Sequence, residues 1–124
     1  DLLWTLYEYE TGSFKIPSSA EEGMIYGGCN CGNCHMTILP AGDVFACRRV
    51  AGSRVGNVFK DRLADIWICA MESYRDYTRF KKCSKCELLA FCRGCPAVAA
   101  GSSGLEGAEG FYAADPQCWK EVDA

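Results

Sequence analysis

Residues 83–95 read CSKCELLAFCRGC and place thiols at Cys83, Cys86, Cys92 and Cys95. Thirteen residues cannot bury a core of their own, but they can set four sulfurs around metal centres. A fifth thiol, Cys118, follows in DPQC. Upstream lie Cys29, Cys31, Cys34 and Cys47, so the chain carries enough sulfur for two four-cysteine sites.

The grouping of the thiols decides between metal and disulfides. Cys31 and Cys34, Cys83 and Cys86, and Cys92 and Cys95 are each separated by two residues. That gap lets two thiolates meet one metal without strain, whereas disulfide frameworks scatter cysteines along loops. With 124 residues the chain is one domain or two very small lobes. Its 49% hydrophobic share includes ten cysteines, so the aliphatic and aromatic core is thin. Chains of this size lean on metals or disulfides to close their fold.

Net charge is −3, and eleven of the thirteen Lys and Arg residues lie between Arg48 and Arg93. Most of these read as solvated helical faces. No aromatic platform accompanies them, which argues against nucleic acid as a partner. Near anionic clusters, the same cations would offset charge and influence redox potential. No run of 18 apolar residues appears, so no membrane span is expected. No signal peptide is expected, and reduced thiols fit the cytoplasm. The start at Asp1 rather than Met reads as that of a fragment.

LLWTLY near the start is an end strand or helix, and TGSFKIPSSAEEG is loop. MTILP (36–40) and DVFAC (43–47) flank Ala41-Gly42 and read as a β-hairpin. Cys34 precedes one strand and Cys47 ends the other, so both thiols are expected at one end of it. Asp61 is the expected cap of a helix beginning near Arg62. Leu63, Ile66, Trp67, Ala70, Tyr74 and Tyr77 form its core stripe, with Cys69 a buried free thiol on its flank. Residues 83–100 read as short helical turns between ligands. GSSGLEGAEG (101–110) reads as mobile or tightly turning.

The five residues between Cys86 and Cys92 route the chain around one face of a metal centre. After a further 22 residues beyond Cys95, Cys118 can close the fourth corner. On spacing alone a zinc-binding interaction module without redox role fits as well as iron–sulfur.

Six features together resemble the SPASM domain: the hairpin PAGDVFAC, the segment GNVFKDRLADIW, the CxxC pair at Cys83, the five-residue gap, CRGCPA, and DPQC. The resemblance covers Cys29 to Trp119. SPASM domains are C-terminal auxiliary-cluster domains of radical S-adenosylmethionine enzymes that modify peptides. CNCGNC and CRGCPAVA resemble the group that crosslinks lysine and tryptophan, the streptide-type maturases.

The resemblance implies a small, metal-organised α+β fold, with a β-hairpin and short helices wrapped around two 4Fe–4S clusters. Cys83, Cys86, Cys92 and Cys118 would hold the second auxiliary cluster. Cys95 would cross over to the first, joining Cys29, Cys34 and Cys47, with Cys31 as the alternative ligand. The family's commonest pattern has three residues where two separate Cys92 from Cys95, and two upstream cysteines where this chain has three. His35 reads as a surface residue or a partner of a ligand, and Asp115 as a turn-former before Pro116.

Residues 1–28 would be a linker or the end of a preceding radical domain, 29–119 the auxiliary-cluster domain, and 120–124 a tail. No cysteine is followed by others at both +4 and +7, so the CxxxCxxC motif that binds S-adenosylmethionine on a third cluster is absent. The expected role is therefore that of an accessory module of a radical oxidoreductase, inactive alone; the resemblance implies that it carries electrons and helps hold the peptide substrate during crosslinking. Its partners would be the radical domain of the same parent chain, a ribosomally made peptide, and an external electron donor or acceptor.

Overall fold

Three short strands build the sheet in this computed structural model, which describes residues 2–21 and 23–122. β1 (Thr37–Ile38), β2 (Asp43–Phe45) and β3 (Arg54–Asn57) run antiparallel in that order. The expected hairpin forms, with Thr37 opposite Phe45 and Ile38 opposite Val44, though its paired segments are shorter than the two hydrophobic runs. β3 has no counterpart among the sequence expectations, because RVGN carries no alternating apolar signal. It is held from its partner's side: Val44 on β2 is fully buried, and Asn57 donates to the Ala41 carbonyl (3.1 Å) and Asp43 Oδ1 (3.0 Å).

The helix expected from Arg62 is broken up. Only Leu63–Asp65 (α2) is α-helical; Ile66–Ala70 widens into π geometry, and 3₁₀ turns follow at Glu72–Arg75 and Tyr77–Arg79. Asp61 does not cap it. Its Oδ2 accepts the Asn57 N–H at 3.0 Å, leaving Arg62 at the cap position without a side-chain bond. Widening to π geometry shifts the facing by about one residue. Met71 therefore enters the core in place of Ala70, which is exposed, as is Leu63. Ile66 and Tyr74 are buried, and Trp67 and Tyr77 half-buried. Cys69 is exposed, contrary to the expectation of a buried thiol, because it falls on the outer side of the π turn.

LLWTLY resolves as helix, within α1 (Leu2–Glu10), which buries Leu6 against Leu88 and Cys92. The N–H groups of Tyr26 and Gly27 both donate to the Ala90 carbonyl, so the segment ahead of Cys29 is tied to the cysteine array. The expected end segments 1–28 and 120–124 include residues 1, 22, 123 and 124, which lie outside the described residues. Residues 83–95 are mostly turns, starting with a 3₁₀ turn at Cys83–Lys85. α3 (Pro96–Ser103) starts on a proline, which suits a first turn whose N–H groups lack helical partners. The glycine- and serine-rich run 101–110 folds as the end of α3 and the start of a 3₁₀ segment, Gly107–Tyr112.

The apolar interior has two parts. The larger packs Val44 of β2 with Ile66, Met71, Tyr74, Phe80 and Phe111; the smaller centres on Leu6, Leu88 and Cys92. Half-buried cysteines border both: Cys31, Cys47 and Cys83 the first, Cys86 and Cys118 the second. Among the described residues, no helix is long and apolar enough to cross a membrane.

Candidate metal centres

Tight turns aim the downstream thiols at one another. The Cys86 N–H donates to the Cys83 carbonyl (3.0 Å) and the Cys92 N–H to the Leu88 carbonyl (2.8 Å). The chain then returns through Asp115, whose carbonyl accepts the Cys118 N–H at 3.0 Å. As a result Cys83, Cys86, Cys92 and Cys118 line one narrow cavity, walled by Leu2, Leu6 and Leu88. Burial, with the neighbouring thiols Cys92, Cys86 and Cys118 adding to it, pushes the Cys83 thiol up to about 12. Burial also raises Cys92. Four thiolates in such a space repel one another and lose water, so they ionise together only around a cationic centre. The donor set therefore fits an iron–sulfur core, whose iron atoms supply that charge.

The upstream group is organised differently. Cys31 is hydrogen-bonded to both Cys29 and Cys47. The Cys31 thiol bonded to Cys29 is the main cause that holds Cys29 down at about 6, while Cys31 itself is pushed up because it keeps the proton. Cys34, which the resemblance pairs with Cys29 and Cys47, is exposed. It is Cys31 that the fold brings between Cys29 and Cys47. His35 is exposed, with Nε2 3.8 Å from Cys31 Sγ. Cys95 lies between the two groups, lining one groove with both Cys29 and Cys92.

Backbone amides also point at the sulfurs. Leu88 N–H donates to Cys86 Sγ at 3.5 Å. The Gly94 backbone hydrogen-bonds Cys92 and the Cys31 backbone hydrogen-bonds Cys29, each two residues after its thiol. Such donors favour charged sulfur and tune clusters bound to it. Among the described residues, no three Cys, His, Asp or Glu side chains close to the spacing of a single metal ion.

Two residues gain roles that spacing does not reveal. Asp115 is 4% exposed, and its carboxylate accepts the Cys95 N–H and the Gln117 N–H, both at 2.8 Å. It is a turn-former that also pins Cys95 to the segment carrying Cys118. Gly94 permits this approach: it adopts φ +66°, and a Cβ there would stand 2.7 Å from the Asp115 Cβ. Arg93 is likewise 4% exposed, and its Nη2 donates to the Cys29 carbonyl at 2.8 Å. The sequence signal for Asp115 was its place in DPQC; for Arg93 it was only its position between two thiols.

A family model described as SPASM, an iron–sulfur cluster-binding domain, matches residues 29–96, more than half of the chain. No curated protein and no solved structure matches it.

Proposed function

We propose, from the premise that this chain belongs to the SPASM family of iron–sulfur cluster-binding domains, that it is the auxiliary-cluster domain of a radical S-adenosylmethionine peptide maturase and holds two 4Fe–4S clusters. Cys83, Cys86, Cys92 and Cys118 would hold the second cluster. Cys29, Cys31, Cys47 and Cys95 would hold the first, with Cys31 in the place the resemblance assigns to Cys34. The observation that carries this reading is that the four downstream cysteines, spread over 36 residues of chain from Cys83 to Cys118, line a single cavity.

When bound, the clusters supply one-electron transfer between the active site of the radical domain and an external donor or acceptor. The chain's own residues hold and orient. Asp115 fixes the backbone at Cys95, the crossing point between the two sets. Leu2, Leu6 and Leu88 keep water from the second set. The finer assignments are a ribosomally made peptide as substrate, lysine–tryptophan crosslinking of the streptide type, and a cytoplasmic setting in which the thiols stay reduced.

Anaerobic reconstitution tests the reading. Brown protein with broad absorption near about 400 nm and roughly eight irons and eight sulfides per chain is the expected result. Colourless protein holding stoichiometric zinc would replace it with a zinc-binding interaction module. Ten cysteines paired in native disulfides would end every metal reading.

A further inference from the structure

Arg93 is a buried cation with no carboxylate partner among the described residues, and its charge helps hold the neighbouring Cys29 thiol down. Its Nη1 donates to the Leu89 carbonyl (3.0 Å) and its Nη2 to the Cys29 carbonyl (2.8 Å). Its Cζ stands 4.9 Å from the centre of the Tyr77 ring. Tyr77 is in turn oriented by donating its hydroxyl to Asn33 Oδ1 at 3.0 Å. The ion pairs among the described residues join Arg54 to Asp43, Arg79 to Glu109 and Lys120 to Glu87, and none includes Arg93. Two neutral carbonyls and an aromatic face do not balance a buried guanidinium, which is costly unless a counter-charge such as thiolate sulfur lies nearby.

The surroundings show where that counter-charge belongs. Arg93 lines the small cavity that contains Cys29 and Cys31, and it does not line the cavity of Cys83, Cys86, Cys92 and Cys118. The chain makes room for it there. Gly28 adopts φ +86°, and a Cβ at that position would stand 3.1 Å from Nη2. The cations at the second cavity are less confined: Lys120 is paired with Glu87, and the Lys82 ammonium donates to the Cys118 carbonyl.

We infer that Arg93 is the built-in counter-charge of the first auxiliary cluster and raises its reduction potential, acting through charge and through its hold on the Cys29 backbone. The inference rests on the two-cluster reading proposed above. A fixed positive charge favours the reduced, more negative state of a nearby cluster. Arg93 is thus a potential-setting residue, not a ligand.

The test is an EPR-monitored redox titration of the anaerobically reconstituted protein. The wave that Cys47→Ser removes identifies the first cluster. Arg93→Gln is expected to keep full iron and to weaken reduction of that cluster by about tenfold, equivalent to about 59 mV for a one-electron couple, with a smaller shift in the second. Arg93→Lys, which keeps the charge and loses the planar fork, is expected to restore most of the potential. Arg62→Gln, an exposed charge change, is expected to move neither wave. Unmoved potentials in Arg93→Gln, equal shifts in both clusters, or loss of iron from both Arg93 variants would each overturn the inference. Wild-type protein that takes up no iron would instead fail the proposed function, so the two failures are distinguishable.

Discussion

Replacing Asp115 by alanine should loosen the junction between the two cysteine groups. The carboxylate accepts two backbone N–H bonds of 2.8 Å, one from Cys95 and one from Gln117. Hydrogen bonds to a charged group are worth about 1.5–3 kcal/mol each, and a buried donor left unpaired carries its own desolvation penalty. Gln117 is exposed, so water can replace the lost acceptor there. The Cys95 N–H is only half-exposed and pays more. The net cost of Asp115→Ala is therefore about 2–4 kcal/mol. At a urea dependence of about 2 kcal/mol per molar, the unfolding midpoint falls by about 1–2 M. Asp115→Asn should fall between the two, since its amide oxygen can accept one N–H while its NH₂ faces the other donor. The assay is anaerobic urea unfolding of the iron-loaded protein, followed by tryptophan fluorescence, with iron content measured in parallel. An Asp115→Ala midpoint indistinguishable from wild type, with iron retained, would refute the claim that this carboxylate joins the two sets.

The other expectations concern the same thiols. Cys31→Ala should lose about half of the bound iron while Cys34→Ala keeps it, read by iron and sulfide analysis, because Cys31 bridges Cys29 and Cys47 and Cys34 is exposed. The reverse outcome would restore Cys34 as the ligand. Gly94→Ala should cost about 1–2 kcal/mol for the left-handed backbone alone, and more for its contact with Asp115. Urea unfolding measures it, and a neutral effect would contradict the close approach. In cluster-free protein, Cys29 is thiolate above about pH 6 and is protonated as pH falls below it, while Cys83 keeps its proton until about pH 12. Alkylation at pH 8, mapped by mass spectrometry, should therefore mark Cys29 before Cys83, and the opposite order would contradict these environments.

Much of the site was legible because metal ligation writes itself into spacing. CxxC pairs and a returning DPQC describe turns short enough to be read locally, and the hairpin announced itself through two apolar runs around Ala41-Gly42. Periodicity failed between residues 61 and 79. There the apolar stripe looks helical, yet one π turn moves Met71 inward and Cys69 outward, a shift of a single residue that composition does not record. β3 was illegible for a related reason: RVGN becomes a strand by pairing with β2, not by its own pattern. Asp115 and Arg93 carry ordinary polar side chains whose partners are 20 and 64 residues away.

By itself, then, the order of residues determined the donor chemistry, the family, and which cysteines stand close along the chain. Tertiary structure alone decided which of three crowded upstream thiols meets Cys47, which carboxylate holds Cys95, and where a buried guanidinium lies. The physical reason is range. Ligand spacing is a property of a few consecutive bonds, whereas desolvation and charge depend on whatever distant segments the closed fold packs around them.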